Sequence, residues 1–522
     1  MHFRICLLIF LSLFFFAGCE NQPSQSLKAD KIKLNLGTEP PTLDPRVAID
    51  STSINALLFL FEGLTRLSHE GQPKLALAKE VSISKDLLTY TFKLREAFWS
   101  NGERVTSADF VKGFQTTLDP LFPSPAAYKL YIVKNGRAIK KGLLPNNSLG
   151  VETPDSKTLI IHLEHPATYF LELVACPIFF PIHQKGDFER DFITNGPYII
   201  EKWEHEHEIC LKKNPLYWDS KHVRIQNVDL MMIDDSLTEY YLFENGELDF
   251  AGAPYTNLAV DVLPSILQEG KLNQYPFSAV YCYKVNTHHS HLSNQKIRKG
   301  LSYLINREAI VEHVMQVGHT PASGYIPPLP DPVFQRKIFL PNIPSSIGKD
   351  LFFNGLVEEG YTPETFPPVT ISYNANKEHQ RVAQAIGQAW QDTLGIKVFL
   401  EQYDWKTYLS KMNQMNYEIA RVAWVGEYLD PLAFLETFQS NNDNNLTGFS
   451  DDIYDQLVDW AKKERDPFKR AEILSEAEAK LLDQMPIIPI YFIDCLYLIH
   501  PRLKNVVLTS LGTADFTRAY FE

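Results

Sequence analysis

The sequence predicts a protein of roughly two to four domains, of the α/β or α+β class with mixed sheets. The chain has 522 residues, which is too long for one hydrophobic core because domains usually contain about 100–200 residues. Hydrophobic residues make up 45% and charged residues 22% of the chain, as in ordinary folded proteins. Segments with strand periodicity and segments with helical periodicity are mixed throughout, without repeats or low-complexity tracts.

The elements of the first half are indicated by alternation and by capping residues. Tyr90, Phe92 and Leu94 alternate with polar residues, which predicts a half-buried strand. Thr106 and Asp109 have the spacing of a capping box and predict the start of a helix. Further predictions are strands at 31–37 and 158–164, and a hairpin over 195–214 with the charged tip EHEHE at 204–208.

The second half contains two clear helices and two strands. Helical periodicity over 378–394 ends at Gly395, a good helix stop, and a strand follows at 396–400. A second helix covers 467–484 and is followed by a buried strand at 487–492. Residues 420–431, ARVAWVGEYLDP, predict a buried strand that runs into a turn. Arg421 and Glu427 lie in this segment, and charges are seldom buried without a partner, so both are expected to have one.

The first 19 residues, MHFRICLLIFLSLFFFAGC, predict a signal peptide over 1–18. The 12-residue apolar run at 5–16 is too short to span a bilayer, which needs about 20 residues. Its end resembles a bacterial lipobox, which implies diacylglycerol on Cys19; the alternative is an ordinary secretory signal with a chance cysteine. Residues 19–29 then form a lipidated start and a flexible tether. We therefore expect a periplasmic or otherwise extracytoplasmic protein that is lipid-anchored to a bacterial membrane.

Charge and cysteine content exclude some partners. The formal net charge is −13, which argues against nucleic acid and against a basic membrane-binding surface. Beyond Cys19 there is no CxxC motif, so no zinc site is expected, and one or two disulfides remain open. The cysteines concerned are Cys176, Cys210, Cys282 and Cys495.

No enzyme motif and no cofactor site is predicted. Walker, GxGxxG and GxSxG patterns are absent, and the SxxK at 82–85 lacks its partner motifs. A hydrolase stays an alternative, because catalytic residues meet in space and not in sequence. Two histidine-rich spots, EHEHE at 204–208 and HHSH at 288–291, favour solvated loops over metal sites, so no metal is predicted.

Ordered landmarks along the chain resemble family 5 extracellular solute-binding proteins, the peptide-binding subunits of ABC importers. The signature block is LTYTFKLREAFWSNGERVTSADFVKGFQ at 88–115. The other landmarks are FEGL (61–64), NGPY (195–198), NPLYWD (214–219), NGELDF (245–250), INREAI (305–310), GYIPP (324–328), YNAN (373–376) and YDWKTYLSKM (403–412). The match covers nearly all of 30–522, and within the family it is most similar to the oligopeptide-binding proteins.

The resemblance implies an α/β protein with a two-lobe, three-domain periplasmic-binding-protein fold of the cluster C type. Lobe 1 would combine 30–52, 182–278 and 496–522, with a domain inserted at 53–181. Lobe 2 would cover 279–495. Two hinge crossings would link the lobes, and closure would trap a ligand between them.

The resemblance also implies how a peptide is bound. Cleft strands would satisfy the ligand backbone by β-augmentation, and fixed charges would pair with its termini. Glu427 matches the residue that binds the ligand α-amino group, and Arg421 matches one that meets the carboxylate of short peptides. The remaining carried-over ligand contacts are His379 for the carboxylate of a longer peptide, the aromatic residues Trp405, Trp424 and Tyr428, and Glu39.

Three departures from the peptide-binding relatives lie near this site. Glu427 stands where most have Asp. Ala279 and Val425 occupy the positions of their lobe-2 disulfide, so that bridge is absent. Ala126 and Ala127 follow where relatives place a cleft tyrosine, and Tyr128 is the candidate substitute.

The resulting prediction is a monomeric, lipid-anchored peptide-binding subunit that delivers short peptides to the permease and ATPase subunits of an ABC importer. It is not an enzyme and needs no cofactor. One alternative is the same fold binding glutathione, a cell-wall peptide, a sugar or a nickel chelate. Another is a surface adhesin or signalling receptor that has lost transport.

Overall fold

The computed structural model describes residues 30–69, 71–188, 191–316, 318–331, 333–340 and 344–522. The predicted signal peptide, Cys19 and the tether lie outside these residues. Helices and mixed sheets alternate along the described chain, so the predicted α/β class with mixed sheets is confirmed. Among the described residues, no helix has both the length and the apolar character needed to cross a bilayer.

The strands are numbered here in chain order. They are β1 Lys31–Asn35, β2 Thr65–Leu67, β3 Pro73–Leu75, β4 Ala78–Ile83, β5 Thr89–Leu94, β6 Val151–Asp155, β7 Thr158–His162, β8 Tyr198–Glu204, β9 Glu208–Lys213, β10 Asn227–Met231, β11 Phe250–Gly252, β12 Asn273–Val285, β13 His319–Pro321, β14 Val369–Asn374, β15 Val398–Tyr403, β16 Ile419–Val425, β17 Ile487–Ile499, β18 Leu503–Lys504, β19 Val507–Leu508, β20 Ala514–Asp515 and β21 Tyr520–Phe521.

The helices are numbered in the same way. They are α1 Ser51–Leu60, α2 Ser107–Leu118, α3 Gly136–Lys140, α4 Phe170–Leu173, α5 Ser236–Glu244, α6 Leu263–Gln268, α7 Gln295–Tyr303, α8 Arg307–Ala309, α9 Ser345–Glu359, α10 Lys377–Leu394, α11 Trp405–Asn413, α12 Leu432–Leu435, α13 Asp452–Lys463 and α14 Pro467–Gln484. A π-helical turn covers Ile310–Met315, and 3₁₀ turns cover Ala127–Ile132, Asn146–Ser148, Pro177–Phe179, Ser220–His222, Val260–Val262, Ser290–Leu292 and Glu436–Phe438.

Local sequence signals account for several of these elements. The backbone N–H of Thr106 donates to Asp109 Oδ2 at 2.8 Å, which forms the predicted cap of α2. Asn376 Oδ1 accepts from the backbone N–H of Glu378 at 2.7 Å and begins α10, which ends at Gly395 with φ of +69°. The predicted hairpin and the helix at 467–484 are confirmed as β8–β9 and α14, whereas the predicted strand at 396–400 begins two residues later.

The described chain contains three sheets of four or more strands, and the second is inserted in sequence between strands of the first. The first has the order β1-β10-β9-β8 and the second the order β4-β5-β7-β6, whose strands all lie between β1 and β8 in sequence. The third is the large sheet, with the order β11-β17-β12-β16-β14-β15 and β13 beside β17. Strand β14 is parallel to β15 and β16, while β12 is antiparallel to β16 and β17. The domain bounds given above stay a prediction.

Two 13-residue strands, β12 and β17, are the longest strands of the large sheet and lie next to each other in it. One end of β17 pairs with β11, and β17 also pairs with β12 and with β13. The register between β12 and β17 shifts between Pro276 and Val280 and again between Tyr281 and Cys282. These irregularities bend the strands beside the cavity described next.

Candidate ligand-binding cleft

A cavity of about 740 Å³ separates the N-terminal segments from the large sheet. This volume lies within the range of about 300–1,000 Å³ that is usual for small-ligand sites. The polar and aromatic residues that matter below come from both walls, namely Tyr128, Lys129 and Cys176 on one side and Arg421, Glu427 and Tyr491 on the other. The strand-to-turn segment at 420–431 therefore borders a cavity.

Glu427 lies just beyond the end of β16 and contacts the opposite wall. The hydroxyl of Tyr128 donates to its Oε1, and Lys129 Nζ lies 3.6 Å from the same oxygen. Among the described residues, Oε2 of Glu427 has no hydrogen-bonding partner. One oxygen of this carboxylate is thus fixed by the protein, and the other remains available in the cavity.

The partners of Glu427 stabilise its charge across the two walls. Burial alone lowers the pKa of Lys129, but the adjacent carboxylate more than offsets this, so the pKa of Lys129 lies above its ordinary value. Lys129 is consequently charged at neutral pH. Tyr128 lines the cavity, and its role as the substitute for the relatives' cleft tyrosine stays a prediction. Lys129 gave no sequence signal because its partner is remote in the chain.

The residues after Glu427 pack against the 169–176 segment. The ring of Tyr428 stacks on Tyr169 with centroids 3.9 Å apart, and its hydroxyl donates to Glu436 Oε1 at 2.7 Å. The backbone N–H of Leu429 donates to Glu172 Oε2 at 3.0 Å. Tyr428 is only 5% exposed and packs the two walls together, and its role as a ligand contact stays a prediction.

Arg421 is the other charge of the predicted segment, and it lies against a column of rings. Its guanidinium carbon is 4.7 Å from the centre of the Tyr281 ring, which stacks on Tyr491 at 4.6 Å. Tyr491 in turn stacks on His319 at 4.7 Å. The side-chain hydrogen bond of the guanidinium is a weak one to Asn374 Oδ1 at 3.4 Å.

Arg421 makes no close ion pair with the described residues, although the Glu378 carboxyl on the same cavity interacts with its charge at longer range. In the part of the chain that the structure describes, no carboxylate lies within 4.0 Å of it, and its buried Nε has no hydrogen-bonding partner. Leaving a buried polar group unpaired costs about 1–3 kcal/mol. Because Arg421 also lines the cavity, an anionic group bound there would satisfy it.

Two histidines that contact the ring column, His379 at Tyr281 and His319 at Tyr491, are neutral at physiological pH. Burial, with the charge of Arg421, lowers the pKa of His379 to about 3, and burial lowers the pKa of His319 to about 4. His379 Nδ1 lies 3.4 Å from the hydroxyl of Tyr281. Both rings line the cavity and can exchange hydrogen bonds with a ligand, while Arg421 supplies the positive charge.

The remaining sequence candidates lie apart from these groups. Trp424 donates from Nε1 to the carbonyl of Ala433 at 2.8 Å, and Trp405 is 57% exposed at the start of α11. Glu39 accepts from the backbone N–H of Glu206 at 2.9 Å and lies 2.6 Å from His205 Nδ1. None of the three lines the cavity among the described residues, and their role as ligand contacts stays a prediction.

Cysteines do not cross-link the described part of the molecule. Cys176, Cys210, Cys282 and Cys495 are all free, which settles the disulfide alternatives that the sequence left open. In the register of β12 and β16, Ala279 lies directly opposite Val425. The two positions that the resemblance assigned to a disulfide in relatives are therefore neighbours here, without a bridge.

Glu172, which accepts from Leu429, gives the contact between the walls a pH dependence. Burial raises the pKa of this carboxyl to about 7; the Leu429 amide lowers it, and the charges of Asp430 and Asp331 raise it. A raised carboxyl pKa adds stability that is fully present below about pH 4.5 and is lost as the pH rises through about 7.

We therefore expect Glu172→Gln to lessen the loss of thermal stability between pH 5 and pH 7.5. The glutamine keeps an acceptor for Leu429 but does not ionise. The expected difference is about 1–2 kcal/mol, less than the roughly 3 kcal/mol of the full shift because Glu172 is partly exposed. Calorimetric scans of the native protein and the variant at the two pH values measure this difference. Glu478 also has a raised pKa, but its contribution is the same in both proteins and cancels. Parallel pH profiles would contradict the assignment.

Comparison with known proteins identifies relatives along the whole chain. The family model of bacterial extracellular solute-binding proteins, family 5, matches residues 72–446. The oligopeptide-binding protein OppA of Bacillus subtilis (strain 168) is 36% identical over 94% of this chain and 92% of its own length.

Solved structures are similar to the fold described above. The murein tripeptide-binding protein MppA of Escherichia coli has a TM-score of 0.83 and 27% identity, covering 95% of this chain and 99% of that one. OppA of Haemophilus influenzae in complex with RPPGFSPFR has a TM-score of 0.81 and 26% identity, with the same coverage. The predicted periplasmic-binding-protein fold is confirmed by this similarity.

Proposed function

Because this chain belongs to the bacterial extracellular solute-binding proteins of family 5, we propose that it captures short peptides as the substrate-binding subunit of an ABC importer. The observation that carries the proposal is a pair of opposite charges on one cavity, each with an atom that makes no hydrogen bond to the described protein. Glu427 Oε2 is available for an ammonium group, and the Arg421 guanidinium is available for a carboxylate. A zwitterionic peptide carries both groups at its two ends.

The edge of β16 between these charges supports backbone binding. Strand β14 pairs only with Ile419 and Ala420 of β16, so the stretch from Arg421 to Val425 has no strand partner on that side among the described residues. Arg421 and Val425 both line the cavity. An extended peptide can add there as a further strand, with its amino end near Glu427 and its carboxyl end near Arg421, antiparallel to β16.

The distance along β16 limits the ligand length. Six residue steps of about 3.3 Å give at most about 20 Å between the Cα atoms of Arg421 and Glu427. An extended peptide covers about 3.3–3.6 Å per residue, so roughly two to five residues fit between the charges. Side chains would project into the cavity, where bridging water accommodates unlike groups.

The cellular setting is part of the proposal. A lipid on Cys19 would hold the protein at the outer face of a bacterial membrane, and closure of the two lobes around β12 and β17 would present the bound peptide to the permease. In this role the protein acts as a monomer and binds without catalysis. The similar structures of oligopeptide ABC transporter proteins from Borrelia burgdorferi and Bacillus anthracis support this setting.

Native mass spectrometry of co-purified ligand tests the proposal. We expect residues 20–522 to release a mixture of short peptides, and a chain with Glu427→Gln and Arg421→Met together to release none. The double variant is the matched control, because it leaves the rest of the cavity unchanged. A single non-peptide mass would contradict peptide capture and favour another small solute.

A further inference from the structure

A second cluster of polar side chains lies where the loop before α7 meets the start of β16. His289 Nδ1 is 3.9 Å from Glu418 Oε1, and His291 Nε2 is 3.6 Å from Glu418 Oε2. Ligand atoms of these three side chains all lie within 4.8 Å of one another. The expectation of a solvated loop is wrong for His291, which is only 5% exposed.

The buried histidine of this cluster lies near a carboxylate but makes no hydrogen bond through Nε2. His291 Nε2 is shielded from solvent and makes no hydrogen bond, because 3.6 Å to Glu418 exceeds hydrogen-bonding distance. The ring is held edge-on against Phe366, with centroids 5.6 Å apart. An imidazole nitrogen that is buried, fixed and unpaired costs about 1–3 kcal/mol unless something binds it.

The surrounding backbone fixes the other ligand and the loop. Glu418 Oε2 accepts from the backbone N–H of Thr370 at 2.7 Å, which orients the carboxylate. The backbone N–H of Asn286 donates to the carbonyl of Glu418 at 2.8 Å, and its side-chain amide donates to the carbonyl of Tyr417 at 3.0 Å. These hydrogen bonds fix the start of the loop that carries His289 and His291 next to the Glu418 carboxylate.

We propose that His289, His291 and Glu418 form a site for a divalent transition metal ion of the Zn²⁺ type. Two imidazoles and one carboxylate are a donor set that suits Zn²⁺, with bonds of about 2.0–2.2 Å and a fourth position for water. Tetrahedral bonds of that length separate neighbouring ligand atoms by about 3.3 Å. The three ligand atoms lie within 4.8 Å of one another, so a pair at that limit must close by about 1.5 Å for an ion to bind all three.

Exposure indicates which ligand moves and what the ion does. The His289 side chain is 39% exposed and can close on an ion that His291 and Glu418 already face. None of the three residues lines the 740 Å³ cavity among the described residues, so the site is separate from the peptide cleft. A bound ion would join the loop before α7 to strands β14 and β16 and stabilise that end of the large sheet.

Metal titration of the full chain, after removal of any affinity tag and of bound metal, tests the site. We expect one Zn²⁺ per chain by calorimetry, and Co²⁺ in its place to give the visible absorption of a tetrahedral ion. His289→Ala with Glu418→Gln should weaken Zn²⁺ binding by at least about 100-fold, more than the 10–100-fold expected for an outer-shell change. These two positions are chosen because His289 is exposed and Glu418→Gln is isosteric.

The second histidine-rich spot supplies the control. Glu204, His207 and Glu208 on the β8–β9 hairpin also have ligand atoms within 4.8 Å of one another, but all three are at least partly exposed and none is an unpaired buried group. His207→Ala should leave Zn²⁺ affinity unchanged, and peptide affinity should not change in any of the variants. Absence of stoichiometric Zn²⁺ binding, or full binding by the His289→Ala, Glu418→Gln chain, would overturn the proposal.

Discussion

Replacing Glu427 with glutamine is expected to weaken binding of a tripeptide probe with a free amino terminus by about 30- to 1,000-fold. This corresponds to about 2–4 kcal/mol, in the range found when one partner of a desolvated charge pair is removed. The variant loses the negative charge and leaves Lys129 uncompensated beside the ligand ammonium. Attraction at this end of the cleft thereby changes to repulsion.

The N-acetylated form of the same tripeptide separates the charge from general damage. It has no ammonium group, so its affinity should change little in the Glu427→Gln chain. Glu401→Gln, an exposed carboxylate on β15 outside the cavity, is the control variant and should bind both peptides normally. Isothermal titration of the four combinations measures the effect, and equal losses for both peptides would remove Glu427 from the amino-binding role.

Replacing Arg421 with methionine is expected to have a comparable effect at the other end of the ligand. A tripeptide with a free carboxylate should bind about 30- to 1,000-fold more weakly, while its C-terminal amide should bind nearly as before. Methionine keeps the aliphatic volume beside the Tyr281 ring but cannot meet an anion. Since the guanidinium has no carboxylate partner within 4.0 Å in the described residues, its loss should not remove an internal ion pair.

Stability measurements distinguish a binding role from a structural role for Arg421. The contact with Tyr281 contributes about 0.5–2 kcal/mol, and the unpaired Nε costs about 1–3 kcal/mol, so the two largely cancel. The free energy of unfolding of the ligand-free variant should stay within about 1 kcal/mol of the native value. Arg381→Met on the exposed side of α10 is the control. A large loss of stability with equal binding of both peptides would assign Arg421 to the fold alone.

Arg421 and Glu427 could be singled out from the sequence because the signal lies in the residues next to them. Arg421 and Glu427 interrupt an apolar strand-to-turn segment, and burial of an unpaired charge is unfavourable in any fold. Helix starts at Thr106 and Asn376 are likewise set by side chains within three residues of them. Such short-range signals allow a prediction without knowledge of which distant segments contact each other in the fold.

The rest of the site depends on contacts between distant segments. Lys129 reaches Glu427 from the other wall, and the ring column uses Tyr281 from β12, Tyr491 from β17 and His319 from β13. Each of these rings looks like an ordinary strand residue in the sequence. Only the pairing of β12, β13 and β17 brings them under Arg421.

Residues carried over by resemblance differ in their local setting. Trp405 is exposed on α11 and Glu39 is paired with the β8–β9 turn, and a ligand contact by either residue stays a prediction. His291 shows the opposite case, because a polar HHSH string suggested solvent, whereas packing against Phe366 buries its ring. Sequence composition does not reveal which member of such a string faces the core.

A crystal structure of residues 20–522 with a bound tripeptide tests the central claim most directly. We predict an extended peptide beside β16, antiparallel to it, with its amino nitrogen within hydrogen-bonding distance of Glu427 Oε2 and its carboxylate against Arg421. A peptide bound in the reverse direction, or bound without contact to either charge, would contradict the account.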